Sequence, residues 1–133
     1  MIALIGLAAV IGVLFAVARN QRRRHALDTA TVELGVDDEG VTRVLGDGRR
    51  ETVRWATLTE VEVLTVDSGP HAADGAVLVL SGSDGDGCLV PATLAVERGV
   101  VERLHGRPGF DGRLLVQALE AEPPARTTCW ARR

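Results

Sequence analysis

Among the two cysteines and three histidines of the 133-residue sequence, Cys88, in "GDGCLVP", is the nucleophile candidate, with His71 or His105 as its base. A cysteine nucleophile needs a base within hydrogen-bond reach and an exposed, electropositive setting. Cys88 instead heads the apolar run "CLVP", where a free cysteine is expected to pack as a small buried hydrophobe. Neither histidine stands in a recognisable thiol-protease context. Asp84 and Asp86 in "SDGDG", with Asp37, Asp38 and Glu39 elsewhere, suggest calcium. A calcium loop, however, takes about six to eight oxygen ligands, and its twelve-residue pattern closing on glutamate is missing. The Asp-Gly pairs are explained by turn geometry. Cys88 and Cys129 lie 41 positions apart with no paired histidines, which is no zinc spacing. No glycine run carries the Gly-Lys-Ser/Thr of a phosphate loop. The residues therefore predict no catalytic group, no metal and no cofactor. One surface candidate is left: Phe110, on the Pro-Gly turn of "PGFD", is a candidate recognition residue. A hydrophobic residue just before an Asp N-cap more commonly packs back on its own helix as a staple, and that is the expectation here.

Charge separates the chain into two parts. Met1 to Ala18 contains no charged residue, and as a helix it would rise about 27 Å, close to the ~30 Å hydrocarbon core of a bilayer. Arg19, Arg22, Arg23 and Arg24 follow at once. A secretory signal places its positive charge before the apolar core, whereas here the charge comes after it. The positive-inside rule then puts the arginines in the cytoplasm and the N-terminus outside. Residues 1–18 are expected to be a transmembrane anchor, 19–27 a basic juxtamembrane linker whose arginines fix topology and face lipid, and 28–133 the soluble domain. From residue 26 onwards, 11 arginines stand against 18 acidic residues, a net charge of −7. That balance argues against nucleic acid as a partner.

Strands and turns alternate through the soluble part. "TVELGV" (31–36), "VTRVL" (41–45) and "ETVRW" (51–55) read as a meander, with Gly40 available for a left-handed turn position and Asp47-Gly48 as a hairpin turn. Trp55, Leu58 and Val61 are spaced for one turn of helix before "VEVLTV" (61–66). "AVLVLSG" (76–82) and "CLVP" (88–91) flank the "SDGDG" hairpin, and Pro91 ends the strand. Leu94, Val100, Val101 and Leu104 lie at helical spacing, weakened by Gly99. Asp111 is a good N-cap for a helix over 112–120 with Leu115, Ala118 and Leu119 inward. "TTCWA" (127–131) reads as a last edge strand. The expected fold class is α+β: a transmembrane helix, then a small antiparallel-sheet domain with two C-terminal helices and a final strand.

The string W-x-x-L (55–58), D-x-G-P (67–70), G-x-G-C-x-V-P (85–91), P-G-F-D (108–111) and Trp130 resembles a family of uncharacterised bacterial single-span membrane proteins. The arginine-only basic set and abundant Ala, Val, Gly and Asp fit GC-rich, actinobacterial coding. The meander with its W-x-x-L corner faintly resembles pleckstrin-homology-like domains. The resemblance implies a domain identity and no catalytic residues. The expected function is a non-catalytic interaction module, anchored in the inner membrane with its domain in the cytoplasm, whose partners are the membrane and another protein. Two alternatives stand beside it. One is a membrane-associated thiol enzyme using Cys88 with a loop histidine. The other is an exported domain after signal cleavage, with Cys88 and Cys129 paired.

Overall fold

Turn chemistry organises the first strands. Asp37 Oδ1 accepts hydrogen bonds from the backbone N–H groups of Glu39 (2.9 Å) and Gly40 (3.0 Å), closing one reversal of the chain. The next reversal places Gly48 at φ 85°, a conformation that side chains disfavour. The computed structural model describes residues 31–132. In it, β1 (Thr31–Val36), β2 (Gly40–Leu45) and β3 (Arg50–Arg54) form an antiparallel three-stranded sheet in that order. A 3-10 turn at Trp55–Thr57 leads into β4 (Leu58–Thr65), followed by β5 (Ala76–Gly82) and β6 (Gly87–Pro91). Helices α1 (Ala92–Glu97), α2 (Val100–His105) and α3 (Gly112–Glu120) precede β7 (Ala125–Ala131). The second sheet has the order β6-β5-β4-β7, all antiparallel.

Cross-strand pairs Val61↔Leu80, Val63↔Leu78 and Leu78↔Val90 give the second sheet a wholly buried face. Each such aliphatic side chain contributes roughly 1.5–3 kcal/mol when removed from water. Leu104, Leu115 and Ala118 of the helices join the same core, as do Leu34, Val41 and Val53 of the first sheet. The first sheet meets the second along β6, where Leu89 N–H donates to Glu51 Oε1 at 3.1 Å. Helix α3 lies on β4 and β7, and α1 on β5 and β6.

Five expectations are corrected. The single antiparallel sheet of the expected fold class is two sheets, because the 3-10 turn redirects the chain between β3 and β4 and these strands do not pair. That turn is three residues long, and Leu58 already belongs to β4. The helical stretch around Leu94–Leu104 is two short helices, split where Gly99 takes φ 78°. Gly40 is no left-handed turn residue. It sits in β2, where a Cβ would collide with the carbonyl oxygen of Val53, so glycine is needed for close backbone approach. The fifth is the transmembrane helix. Among the described residues no helix is long and apolar enough to cross a membrane. The longest is the nine-residue α3, which rises only about 14 Å. The single-pass membrane reading thus has no element in the described fold. The expected anchor (1–18) and linker, with Arg19, Arg22, Arg23 and Arg24, lie outside the described residues.

Candidate functional site

The short motifs of the sequence gather at two places in the fold. The first is an enclosed polar network between the sheets. Period-two alternation in β2 puts Arg43 on the same face as Val41 and Leu45, and its side chain is fully buried. Arg43 Nη1 pairs with Glu51 Oε1 at 2.9 Å, its cross-strand neighbour in β3, and Nε donates to Thr31 Oγ1 at 2.6 Å. Nη2 lies 3.3 Å from His71 Nε2, on the loop between β4 and β5. Arginine can only donate, so His71 Nε2 accepts and the imidazole proton sits on Nδ1, which faces Asp74 Oδ2 at 3.8 Å. Asp74 Oδ1 in turn accepts from Thr93 Oγ1 at 2.7 Å, tying this loop to α1. A second ion pair on the four-stranded sheet joins Glu62 (β4) to Arg126 (β7) at 2.7 Å and 3.1 Å in a bidentate fork.

Cys88 is on β6, near Glu51 and Arg43, and is 1 % exposed. Burial, followed by the Glu51 charge, pushes its thiol up to about 12, and the Arg43 charge opposes this only in part. His105 is not beside it. It ends α2, exposed, with its ring edge-on to Phe110 at 5.4 Å. Cys129 is also buried, and its thiol is pushed up to about 11 by burial. Both cysteines are free. They stand on the two outer strands of the four-stranded sheet, three strand spacings apart, roughly 14 Å. A disulfide tolerates at most about 7 Å between Cα atoms, so the pairing considered for an exported domain does not fit this fold.

The second place is the end of the four-stranded sheet around the 3-10 turn, and here W-x-x-L, P-G-F-D and Trp130 converge. All three carbonyls of the turn are engaged. Trp55 O accepts from Arg107 Nη1 at 3.0 Å, Ala56 O from Arg132 Nη2 at 3.1 Å, and Thr57 O from Ser83 N–H at 2.9 Å. The Arg107 guanidinium also lies 4.8 Å over the Trp130 ring, whose Nε1–H donates to Pro108 O at 3.2 Å. Burial and then the neighbouring Arg132 charge hold Arg107 below its ordinary pKa. Neither Arg107 nor Arg132 has a carboxylate partner among the described residues, and Arg107 Nε is buried without a hydrogen bond. Arg103, by contrast, reaches Asp38 at 3.0 Å and lies 5.9 Å over Trp55.

Phe110 is half-buried against the core, with its ring against His105 of the preceding helix; Asp111 caps α3 by accepting from Arg113 and Leu114 N–H. Asp84 and Asp86 stand exposed in the β5–β6 hairpin beside Thr57. The Asp84 charge raises the Asp86 carboxyl above its ordinary value, with smaller effects of burial and a hydrogen bond between the two, and Arg54 opposing. Among the described residues no three of His, Cys, Asp and Glu gather as metal ligands. Sequence reasoning passed over Arg43, Arg107 and Arg132. For Arg43 a signal existed, since it shares the parity of Val41 and Leu45; for the other two the partners are backbone atoms more than 50 residues away, which no local pattern records.

No family model, curated protein or solved structure matches this chain.

Proposed function

We propose that the domain is a non-catalytic protein-interaction module whose contact surface is the end of the sheet around Trp55–Thr57. The observation that carries this reading is the pair Arg107 and Arg132, two like charges held side by side by backbone carbonyls without a carboxylate. Holding them together costs electrostatic repulsion, and an anionic group supplied from outside relieves it. Arginine beside indole rings is also the composition in which interface hot spots are enriched. The acidic balance of the rest of the domain favours a protein over nucleic acid. The burial of Cys88 and its raised thiol pKa support the non-catalytic part of the reading.

The test is cross-linking of the full chain in its native cells, comparing the wild type with Arg132→Glu at matched expression and melting temperature. The same protein partner should be captured by the wild type and lost with Arg132→Glu. Capture unchanged by the charge reversal overturns this surface as the contact. Loss of cellular function in Cys88→Ser, with folding intact, overturns the non-catalytic reading.

A further inference from the structure

Resting on that reading of the surface, we propose that one protein bound there is a second copy of this chain, docked about a two-fold axis passing near the 3-10 turn. A two-fold interface is isologous: one patch must carry both a feature and its complement. This end of the sheet does. The strand order β6-β5-β4-β7 sets the β5–β6 hairpin on one side of the turn and the end of β7 on the other. Ser83 N–H is bonded to Thr57 O on the first side, and Arg132 N–H to Thr59 O at 2.7 Å on the second. Asp84 and Asp86 therefore flank the turn on one side, and Arg107 and Arg132 on the other.

Each pair is repelled from within. The charge of Asp84 works against ionisation of Asp86, and the charge of Arg132 works against that of Arg107. The separation across β4, on the order of 10 Å, keeps the two pairs from neutralising each other inside one chain. Rotating a second copy by 180° about an axis near the turn brings the acidic pair of each chain to the arginine pair of the other, and the repulsion in all four pairs falls together. Arg107 gains most, since Trp130 and the turn have already stripped part of its hydration. Glu60 of β4, opposite Ser81 and Ala131, Arg54, beside Asp86, and Arg103, paired with Asp38, are further charged groups at this end. Arg54 offsets part of the acidic charge, so the association is weak and salt-sensitive rather than obligate.

Analytical ultracentrifugation of the full chain tests this with three variants: Asp86→Arg, Arg132→Glu, and both in one chain. The weight-average mass should rise towards a dimer with concentration at about 0.05 M salt, and that rise should vanish near 0.5 M, where screening is short-ranged. Each single variant should weaken association about tenfold or more, and the double variant should recover it. The double variant is the decisive arm. Association through any other part of the chain would not respond to a charge exchange between these two positions. Circular dichroism checks that each variant folds. Should Arg132→Glu not fold, Asp86→Arg and the salt series carry the test, because Asp86 is exposed on a hairpin tip. A mass that ignores salt, or association unchanged in Asp86→Arg, overturns the proposal. A monomer at every concentration would sink the dimer while leaving the heterologous partner of the preceding reading to its own cross-linking test.

Discussion

Alkylation of Cys88 by iodoacetamide puts the non-catalytic reading at direct risk. The thiolate is the reacting species, and the fold pushes the Cys88 thiol from its ordinary 9.0 up to about 12. Three pKa units leave about a thousandfold less thiolate at pH 8 than in the unfolded chain. The side chain is 1 % exposed, so reagent access lowers the direct rate further. What then remains is reaction through transient opening, whose population at a stability of about 5 kcal/mol or more is itself below about one part in a thousand. The native rate should therefore fall at least about a thousandfold below the rate in urea. Measuring intact mass against time in a Cys129→Ser background isolates the single site. Glu51→Gln removes the second cause of the shift but also weakens the buried ion pair with Arg43. Once the native rate is corrected for the loss of stability measured in urea, it should exceed that of the parent by less than about tenfold, because burial, the first cause, is unchanged. A native rate within tenfold of the unfolded one would refute the argument and make Cys88 a reactive thiol.

Three further outcomes are expected. Trp130→Ala removes a nearly buried ring, its hydrogen bond to Pro108 O and the platform under Arg107, and should cost roughly 3–5 kcal/mol in urea unfolding; Trp55→Ala, at a half-buried site, should cost less. Gly40→Ala forces a Cβ into Val53 O and should destabilise by about 1–3 kcal/mol or more, with equilibrium unfolding as the readout. Asp86→Asn should raise the melting temperature at pH 7 and leave it nearly unchanged near pH 3. The folded carboxyl titrates above its ordinary 3.8, so the fold is relieved of this repulsion below that value and bears it as pH rises through the folded pKa. An equal effect at both pH values would exclude repulsion from Asp84 as the cause.

Local chemistry made several elements legible. Asp111 caps the helix Gly112–Glu120 because its carboxylate satisfies the first free N–H groups, and that signal lies within four consecutive residues. Gly48 takes the positive φ that an Asp-Gly reversal needs, and "AVLVLSG" is the central strand its unbroken apolar run implied. The helical turn expected after Trp55 is present but ends at Thr57, short of Leu58 and Val61. A spacing of three suits a helical turn, but pairing with β5 from Leu58 and with β7 from Glu60 outweighs any longer helix. The pairing of β7 with β4 joins residues 60 to 71 positions apart and is decided by which edge remains open once β5, β6 and the helices are placed.

The sequence by itself determined most of the turns and extended stretches and which helix is capped, though not Gly40 or Leu58, because those preferences are settled among neighbours within a few residues. Tertiary structure alone decided that there are two sheets, that Arg43 is enclosed with Glu51 and His71, and that Arg107 and Arg132 meet at one turn. Each of those outcomes depends on groups 8 to 76 positions apart in the chain. Burial and charge interactions act through space, and their strength is fixed only when the fold has set the distances and excluded the water.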